Sequence, residues 1–174
     1  VLFLFVLFFF RNPYRKVPEG NNLVVSPADG VILDISEIEE TEFIKGKAVK
    51  VSIFLSIFNV HINRAPISGE VQYKKYREGK FLPAFKSHAS DINERNTIGI
   101  QGEKIKVLVH QITGFIARRI VCWVSPTQVL KQGERFGLIK FGSCTEIIVP
   151  MNVDLKVKKG DKVTGAKTII GVIK

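Results

Sequence analysis

Short runs of apolar and β-branched residues, many alternating with polar ones, follow one another along most of the chain and predict β-strands. The runs, separated by Gly, Pro, Asn or Asp, are NLVVS, GVILDIS, AVKVSIFLS, GEVQYKKY, KIKVLVHQI, RRIVCWV, FGLIKFG, TEIIVP and LKVKKGDKV. The last run carries a Lys-Gly-Asp-Lys turn, which predicts a hairpin. No stretch after residue 16 keeps a helical period over three turns. We therefore expect one mainly-β domain, a sandwich or barrel-sandwich with few short helices.

The N-terminus departs from this pattern. Its first ten residues, VLFLFVLFFF, contain no polar side chain, and RNPYRK follows at once. A membrane-spanning helix needs about 20 apolar residues, so we interpret residues 1–16 as a truncated hydrophobic membrane anchor with a basic flank. A signal peptide is a weaker alternative because no small-residue cleavage site follows, and a buried strand is the third. Residues 17–174 then form one folded domain.

The formal net charge of +10 narrows the class of partner. A basic surface suits anionic lipid or nucleic acid, but the sequence has neither zinc-finger spacing nor the aromatic signature of an RNA-binding sheet. Beside an apolar segment, an anionic membrane is the better partner, and the basic flank favours the cytoplasmic side of the cell membrane. The sequence leaves the oligomeric state open, and a homo-oligomer is one arrangement it allows.

Histidine and aspartate supply the first candidates for chemistry. The segment FLSIFNVHINRAPISG leads an apolar strand into His61, Asn63 and Arg64, and polar strand ends are common places for a site. Asp29, in the turn VVSPADG, could orient His61 as a carboxylate orients the base of a hydrolytic triad. His88 lies in a polar loop, and a histidine that only caps a turn is the alternative at position 61.

The segment SDINERN places Asn93, Glu94 and Arg95 in succession. It is interpreted either as a solvated loop or as a lid that holds substrate. Two cysteines, Cys122 and Cys144, form no disulfide framework, and their spacing matches no metal motif. No metal site is expected.

The segment KFGSCTEIIVP interrupts a strand pattern with Gly142, Ser143 and Cys144. A β-bulge or tight turn would account for the glycine. A serine hydrolase is disfavoured because the Gly-x-Ser-x-Gly motif is absent, and a cysteine hydrolase lacks any supporting context.

In order along the chain, six segments resemble the phosphatidylserine decarboxylase family in its short bacterial and archaeal type. The segments are FFFRNPYR, VVSPADG, FLSIFNVHINRAPISG, INERN, GFIARRIVCW and GERFGLIKFGSCTEIIVP. They cover nearly the whole chain, and the Gly-Ser stretch is specific for this family when the other segments accompany it.

The resemblance implies that the chain cuts itself at Gly142-Ser143 into a β chain, residues 1–142, and an α chain, residues 143–174. Ser143 would become a covalent pyruvoyl group, the only cofactor implied. Its ketone forms a Schiff base with phosphatidylserine, and loss of CO2 gives phosphatidylethanolamine. Asp29 and His61 are then expected to serve as processing groups, with His61 returning a proton to the substrate. His88 is the alternative candidate for the processing base.

For such a substrate, Arg64 and Arg95 are candidates to bind the phosphate or the carboxylate, because arginine binds both in a bidentate manner. Asn63, Asn93 and Glu94 are the other substrate-binding candidates. Long-type members carry a carboxylate at the position of Asn59 and a second histidine at the position of Arg64. In one alternative, the chain has the same self-cleavage and pyruvoyl group but acts on another serine phospholipid or on a soluble amino acid. In the other, it is an inactive relative that binds lipid.

Overall fold

A computed structural model describes residues 2–82, 92–114, 119–140 and 143–174. It contains one helix, α1 (Leu2–Phe9), within these ranges. The strands described are β1 (Leu23–Val25), β2 (Gly30–Glu40), β3 (Gly46–Leu55), β4 (Ile62–Arg64), β5 (Gly69–Arg77), β6 (Arg95–Gln101), β7 (Lys106–Ile112), β8 (Arg119–Cys122), β9 (Val129–Leu130), β10 (Arg135–Lys140), β11 (Ser143–Pro150), β12 (Val153–Leu155), β13 (Lys162–Val163) and β14 (Ile169–Ile173). The predicted mainly-β fold is confirmed.

The strands form three antiparallel sheets. The largest is a curled half-barrel in the order β13-β2-β3-β11-β7-β6-β5-β9. Two three-stranded sheets, β4-β10-β8 and β1-β14-β12, accompany it. Strand β11, which begins at Ser143, lies between β3 and β7 and is therefore an inner strand of the large sheet.

The main apolar core joins the large sheet to both small sheets. Val51 and Ile53 on β3, with Ile147 on β11, are fully buried beside Phe136 of β10 and Ile170 of β14. Side chains alternate between the two faces of a strand, so Ser143 and Thr145 share the inner face with Ile147. The interior thus changes from apolar to polar towards the start of β11.

Two local predictions were wrong. Although Lys158 and Asp161 do close a turn, β12 pairs with β14 and β13 pairs with β2, so the tail is not a hairpin. The polar segment NERN is neither a solvated loop nor a lid, because β6 begins at Arg95 and Asn96 and Thr97 are buried.

Helix α1 has eight residues, and most of its described side chains are exposed. Within the described part of the chain, no helix is long and apolar enough to cross a membrane.

Candidate active site

Ser143 is the first residue of β11 and lies opposite Leu55 of β3. Its side chain is fully buried, and its Oγ has no hydrogen-bond partner among the described residues. A buried hydroxyl without a partner costs about 1–3 kcal/mol, so its presence is explained most simply by a reactive role. Gly142 lies outside the described residues.

A tight turn brings His61 to the same end of the sheet. After β3 ends at Leu55, the Asn59 side-chain oxygen accepts hydrogen bonds from the backbone N–H and the hydroxyl of Ser56, both at 2.8 Å. The chain then passes His61 into β4, and the Ile139 N–H donates to the His61 carbonyl at 3.2 Å. Strand β10 ends at Lys140, three residues before Ser143, a span of about 10 Å at most.

The environment of His61 fixes its protonation. Its Nδ1 lies 2.9 Å from the carbonyl oxygen of Asn59, which can only accept, so Nδ1 carries the hydrogen and Nε2 carries the basic lone pair. Burial lowers the pKa of His61 to about 4, with a smaller contribution from Arg11, while the bond to Asn59 opposes the shift. The Phe9 ring covers the imidazole at 4.3 Å between centroids. His61 is therefore a neutral base at pH 7.

The low pKa of His61 predicts a loss of stability in acid. The unfolded chain takes up a proton near the ordinary pKa of 6.5, whereas the folded chain does so only at about 4. The stability present above pH 6.5 is thus lost as pH falls towards 4, by about 3 kcal/mol from His61 alone. Urea unfolding of a Ser143→Ala chain between pH 7.5 and pH 4 would measure this. Adding His61→Gln should make the profile less steep, while His110, whose pKa burial also lowers, keeps its own contribution. An equally steep profile in the double variant would contradict the assignment.

Asp29 has other partners. Its Oδ2 lies 2.8 Å from Arg15 Nη2, and its Oδ1 accepts from the Gly165 N–H at 2.7 Å. The main-chain oxygen of Asn59 therefore takes the orienting role that the sequence suggested for Asp29. Asp29 instead ties the N-terminal flank to the C-terminal segment, and its part in processing stays a prediction.

Asn63 and Arg64 point to opposite faces of β4. Asn63 is fully buried, and its Nδ2 donates to Thr145 Oγ1 at 3.0 Å. Arg64 donates to the Gly133 carbonyl at 3.0 Å and to Asn12 Oδ1 at 2.8 Å. Burial lowers the pKa of Arg64, and neighbouring arginines add to this shift. Asn63 thus shares the interior with Ser143, whereas Arg64 does not.

The remaining candidates lie just before and at the start of β6, an inner strand of the large sheet. The Asn93 amide donates to the Leu82 and Thr113 carbonyls and accepts from the Leu82 N–H. Glu94 accepts from the Tyr76 hydroxyl at 2.6 Å, and Arg95 opens β6. Their contact with substrate stays a prediction, and His88 lies outside the described residues.

Sequence analysis missed Phe9 and Gln111 as site residues, and it gave no role to Asn59 or Thr145. Gln111 and Thr145 could have been noticed as polar residues at inward positions of otherwise apolar strands. Cys144 points to the other face of β11 from Ser143. Burial first, and Glu146 second, raise the pKa of its thiol well above its ordinary range, which leaves it unreactive.

Comparison with known proteins agrees with these observations. The sequence model of the phosphatidylserine decarboxylase family matches residues 2–171. A phosphatidylserine decarboxylase proenzyme of Carboxydothermus hydrogenoformans is 62% identical over 100% of this chain and 82% of its own length. Proteins of the same name from Symbiobacterium thermophilum and Geotalea uraniireducens are 48% and 45% identical, over 98% and 99% of this chain and 80% and 81% of their own lengths.

Proposed function

This chain belongs to the phosphatidylserine decarboxylase family, and we propose that it cuts itself at Gly142-Ser143 before it converts phosphatidylserine to phosphatidylethanolamine. Its activity is that of a carboxy-lyase. The relatives are named proenzymes, which implies a precursor that is processed into chains. The observation that best supports self-cleavage is the buried, unpartnered Ser143 hydroxyl at the same end of the sheet as a neutral His61.

Self-cleavage begins with an acyl shift. His61 Nε2 takes the hydroxyl proton while Ser143 Oγ attacks the carbonyl carbon of Gly142. The new C–O bond forms, the C–N bond breaks, and the freed amine takes a proton, so an ester replaces the peptide bond. Gly142 has no side chain to hinder the attack, and it tolerates unusual backbone geometry.

Elimination then separates the chains. A base removes the Cα proton of residue 143, the Cβ–Oγ bond breaks, and Gly142 leaves as the carboxylate of the β chain. The dehydroalanine left behind rearranges to an imine, and water replaces its nitrogen as ammonia. No oxidant is needed, because the serine dehydrates and then hydrolyses to a keto acid.

The surroundings of residue 143 suit the pyruvoyl group that would result. Such a group supplies a ketone that takes up the substrate amine and accepts the electron pair released with CO2. The buried start of β11 would exclude water from this position. His61 Nε2, which is basic in the neutral form and covered by Phe9, would take a proton from the substrate ammonium and return it to the substrate carbon.

Mass spectrometry of the purified protein tests the proposal. We expect two chains, the larger ending at Gly142 and the smaller lighter by one ammonia than a chain beginning with serine. CO2 release should be measured with phosphatidylserine, with a serine phospholipid of another backbone and with free serine. An intact chain in an active preparation would contradict the processing step, and turnover of free serine alone would contradict the substrate.

Helix α1 is a candidate for contact with the bilayer. Phe3, Leu4 and Leu7 expose 72%, 67% and 56% of their surface, and Phe9 anchors the helix on His61. Arg11 lies two residues beyond the helix, and its guanidinium lies over the Phe8 ring. An apolar helix flanked by basic residues suits the interface of an anionic membrane, on the cytoplasmic side by the basic-flank argument.

An open cleft beside this helix gathers positive charge. Arg15, Arg64 and Arg135 line it together with residues 12–14, and Asp29 neutralises Arg15. Guanidinium groups bind phosphate and carboxylate well, so this cleft is the surface on which Arg64 would meet a lipid headgroup. It lies on the other face of β4 from Asn63.

Removing the exposed apolar side chains of α1 should weaken membrane binding. Phe3→Ser, Leu4→Ser and Leu7→Ser together should lower sedimentation with phosphatidylglycerol vesicles by about tenfold or more, since each buried apolar side chain contributes about 1–3 kcal/mol. The matched control replaces three exposed apolar residues elsewhere, Trp123, Val129 and Met151, with serine. Equal losses in the two triple variants would argue against a specific role of α1.

A further inference from the structure

A continuous chain of buried side-chain hydrogen bonds runs from β6 through β7 and β4 to β11, ending two residues after Ser143. Asn96 Nδ2 donates to Gln111 Oε1 at 2.8 Å, and Gln111 Nε2 donates to Asn63 Oδ1 at 2.9 Å. Asn63 Nδ2 then donates to Thr145 Oγ1 at 3.0 Å. All four side chains are at most 3% exposed.

One main-chain carbonyl fixes the direction of this chain. Gln111 Nε2 also donates to the Val121 carbonyl oxygen at 3.3 Å. A carbonyl oxygen can only accept, so the nitrogen of the Gln111 amide must face it and the oxygen must face Asn96. Asn63 must then turn its oxygen to Gln111 and its NH2 group to Thr145. Every donor in the chain therefore points towards Thr145.

The direction leaves the Thr145 hydroxyl as a donor. It accepts from Asn63, so its own hydrogen is directed elsewhere. Thr145 and Ser143 share the inner face of β11, and Ser143 Oγ is the buried polar atom without a partner in the described structure. The site of self-cleavage therefore lies beside an oriented donor.

We propose that Asn63 and Gln111 are positioning residues that hold the Thr145 hydroxyl as a hydrogen-bond donor to the oxygen that becomes negative during self-cleavage. As Ser143 Oγ attacks, its proton leaves for the base, and the π-electron pair of the Gly142 C=O bond moves onto that carbonyl oxygen. A fixed donor in a buried site stabilises such charge strongly. This inference rests on the proposed self-cleavage.

Asn63→Asp tests the direction without changing the size of the side chain. A carboxylate at position 63 still accepts from Gln111 but cannot donate, so the Thr145 hydroxyl turns to donate to it. The oxygen that becomes negative then has no donor from Thr145, and self-cleavage should slow by about 10²–10³-fold. The matched control, Asn96→Asp, puts the same charge at the other end of the chain, where the Val121 carbonyl still holds Gln111, and should slow cleavage far less.

Thr145 provides the second pair of variants. Thr145→Val removes the hydroxyl at similar volume and should slow cleavage as much as Asn63→Asp, whereas Thr145→Ser should keep it near the parental rate. Combining Asn63→Asp with Thr145→Val should slow cleavage no further than either change alone, because both remove one donor. Unfolding in urea, measured with Ser143→Ala in each background, separates these effects from lost stability.

Time courses of newly synthesised full-length chain, resolved by gel and by mass spectrometry, give the rates. Hydroxylamine cuts the ester, so a block before the ester should abolish the hydroxylamine-dependent fragment in Thr145→Val. If Asn63→Asp and Asn96→Asp slowed self-cleavage equally, or if Thr145→Ser cleaved as slowly as Thr145→Val, the hydrogen-bond network would have only a structural role. A parent chain that never cuts at Gly142-Ser143 would instead overturn the proposed function.

Discussion

Replacing Ser143 with alanine is expected to leave the precursor in one piece and to lower decarboxylation of phosphatidylserine by at least about a thousandfold. Alanine has no Oγ, so neither the ester nor the ketone can form. The buried position should accept alanine readily, because the lost hydroxyl has no hydrogen-bond partner in the described structure. The variant should therefore fold, which circular dichroism and urea unfolding would check.

Cys144→Ala is the matched control for this substitution. It changes the neighbouring residue by one heavy atom, but its side chain points to the other face of β11 and packs with Phe54 and Ile112. Cleavage and activity should persist. Loss of cleavage in Cys144→Ala with normal cleavage in Ser143→Ala would move the reactive group to the thiol and refute the assignment.

Most strands could be predicted because alternation with a period of two is a local property of the sequence. The partners of those strands could not, as β12 and β13 illustrate: each pairs with a strand elsewhere in the chain rather than with the other. Strand β6 was missed because Asn96, Thr97 and Gly99 interrupt its apolar pattern. Their polar groups are satisfied only across the sheet, by residues such as Gln111.

The same distinction applies to the site. Ser143, His61 and Asn63 stand in unusual local sequences and could be identified there. The roles of Thr145 and Gln111 depend on register between β7 and β11, where Gln111 lies opposite Thr145. That register is set by long-range packing of the core, which no local pattern records.

His61 connects the chemistry to the surface of the protein. Its imidazole is covered by Phe9, and Phe9 belongs to the helix in which most of the described side chains are exposed. Arg11, just beyond that helix, donates to the Phe58 carbonyl at 2.7 Å, next to the turn that orients His61. Binding of α1 to a bilayer would thus also hold Phe9 in place over the imidazole of His61.

His61→Gln is expected to slow self-cleavage by about 10²–10⁴-fold, the usual contribution of a general base. His110→Gln is the control, because His110 is equally buried but bonds to Thr97 on the opposite face of the sheet from Ser143. His88→Gln tests the other candidate base.

Cleavage rates of the parent chain should also stay nearly constant from pH 8 to pH 5, because a pKa of about 4 keeps His61 neutral over that range. A parental rate that falls below pH 6.5, together with slow cleavage in His88→Gln and normal cleavage in His61→Gln, would assign the base to His88.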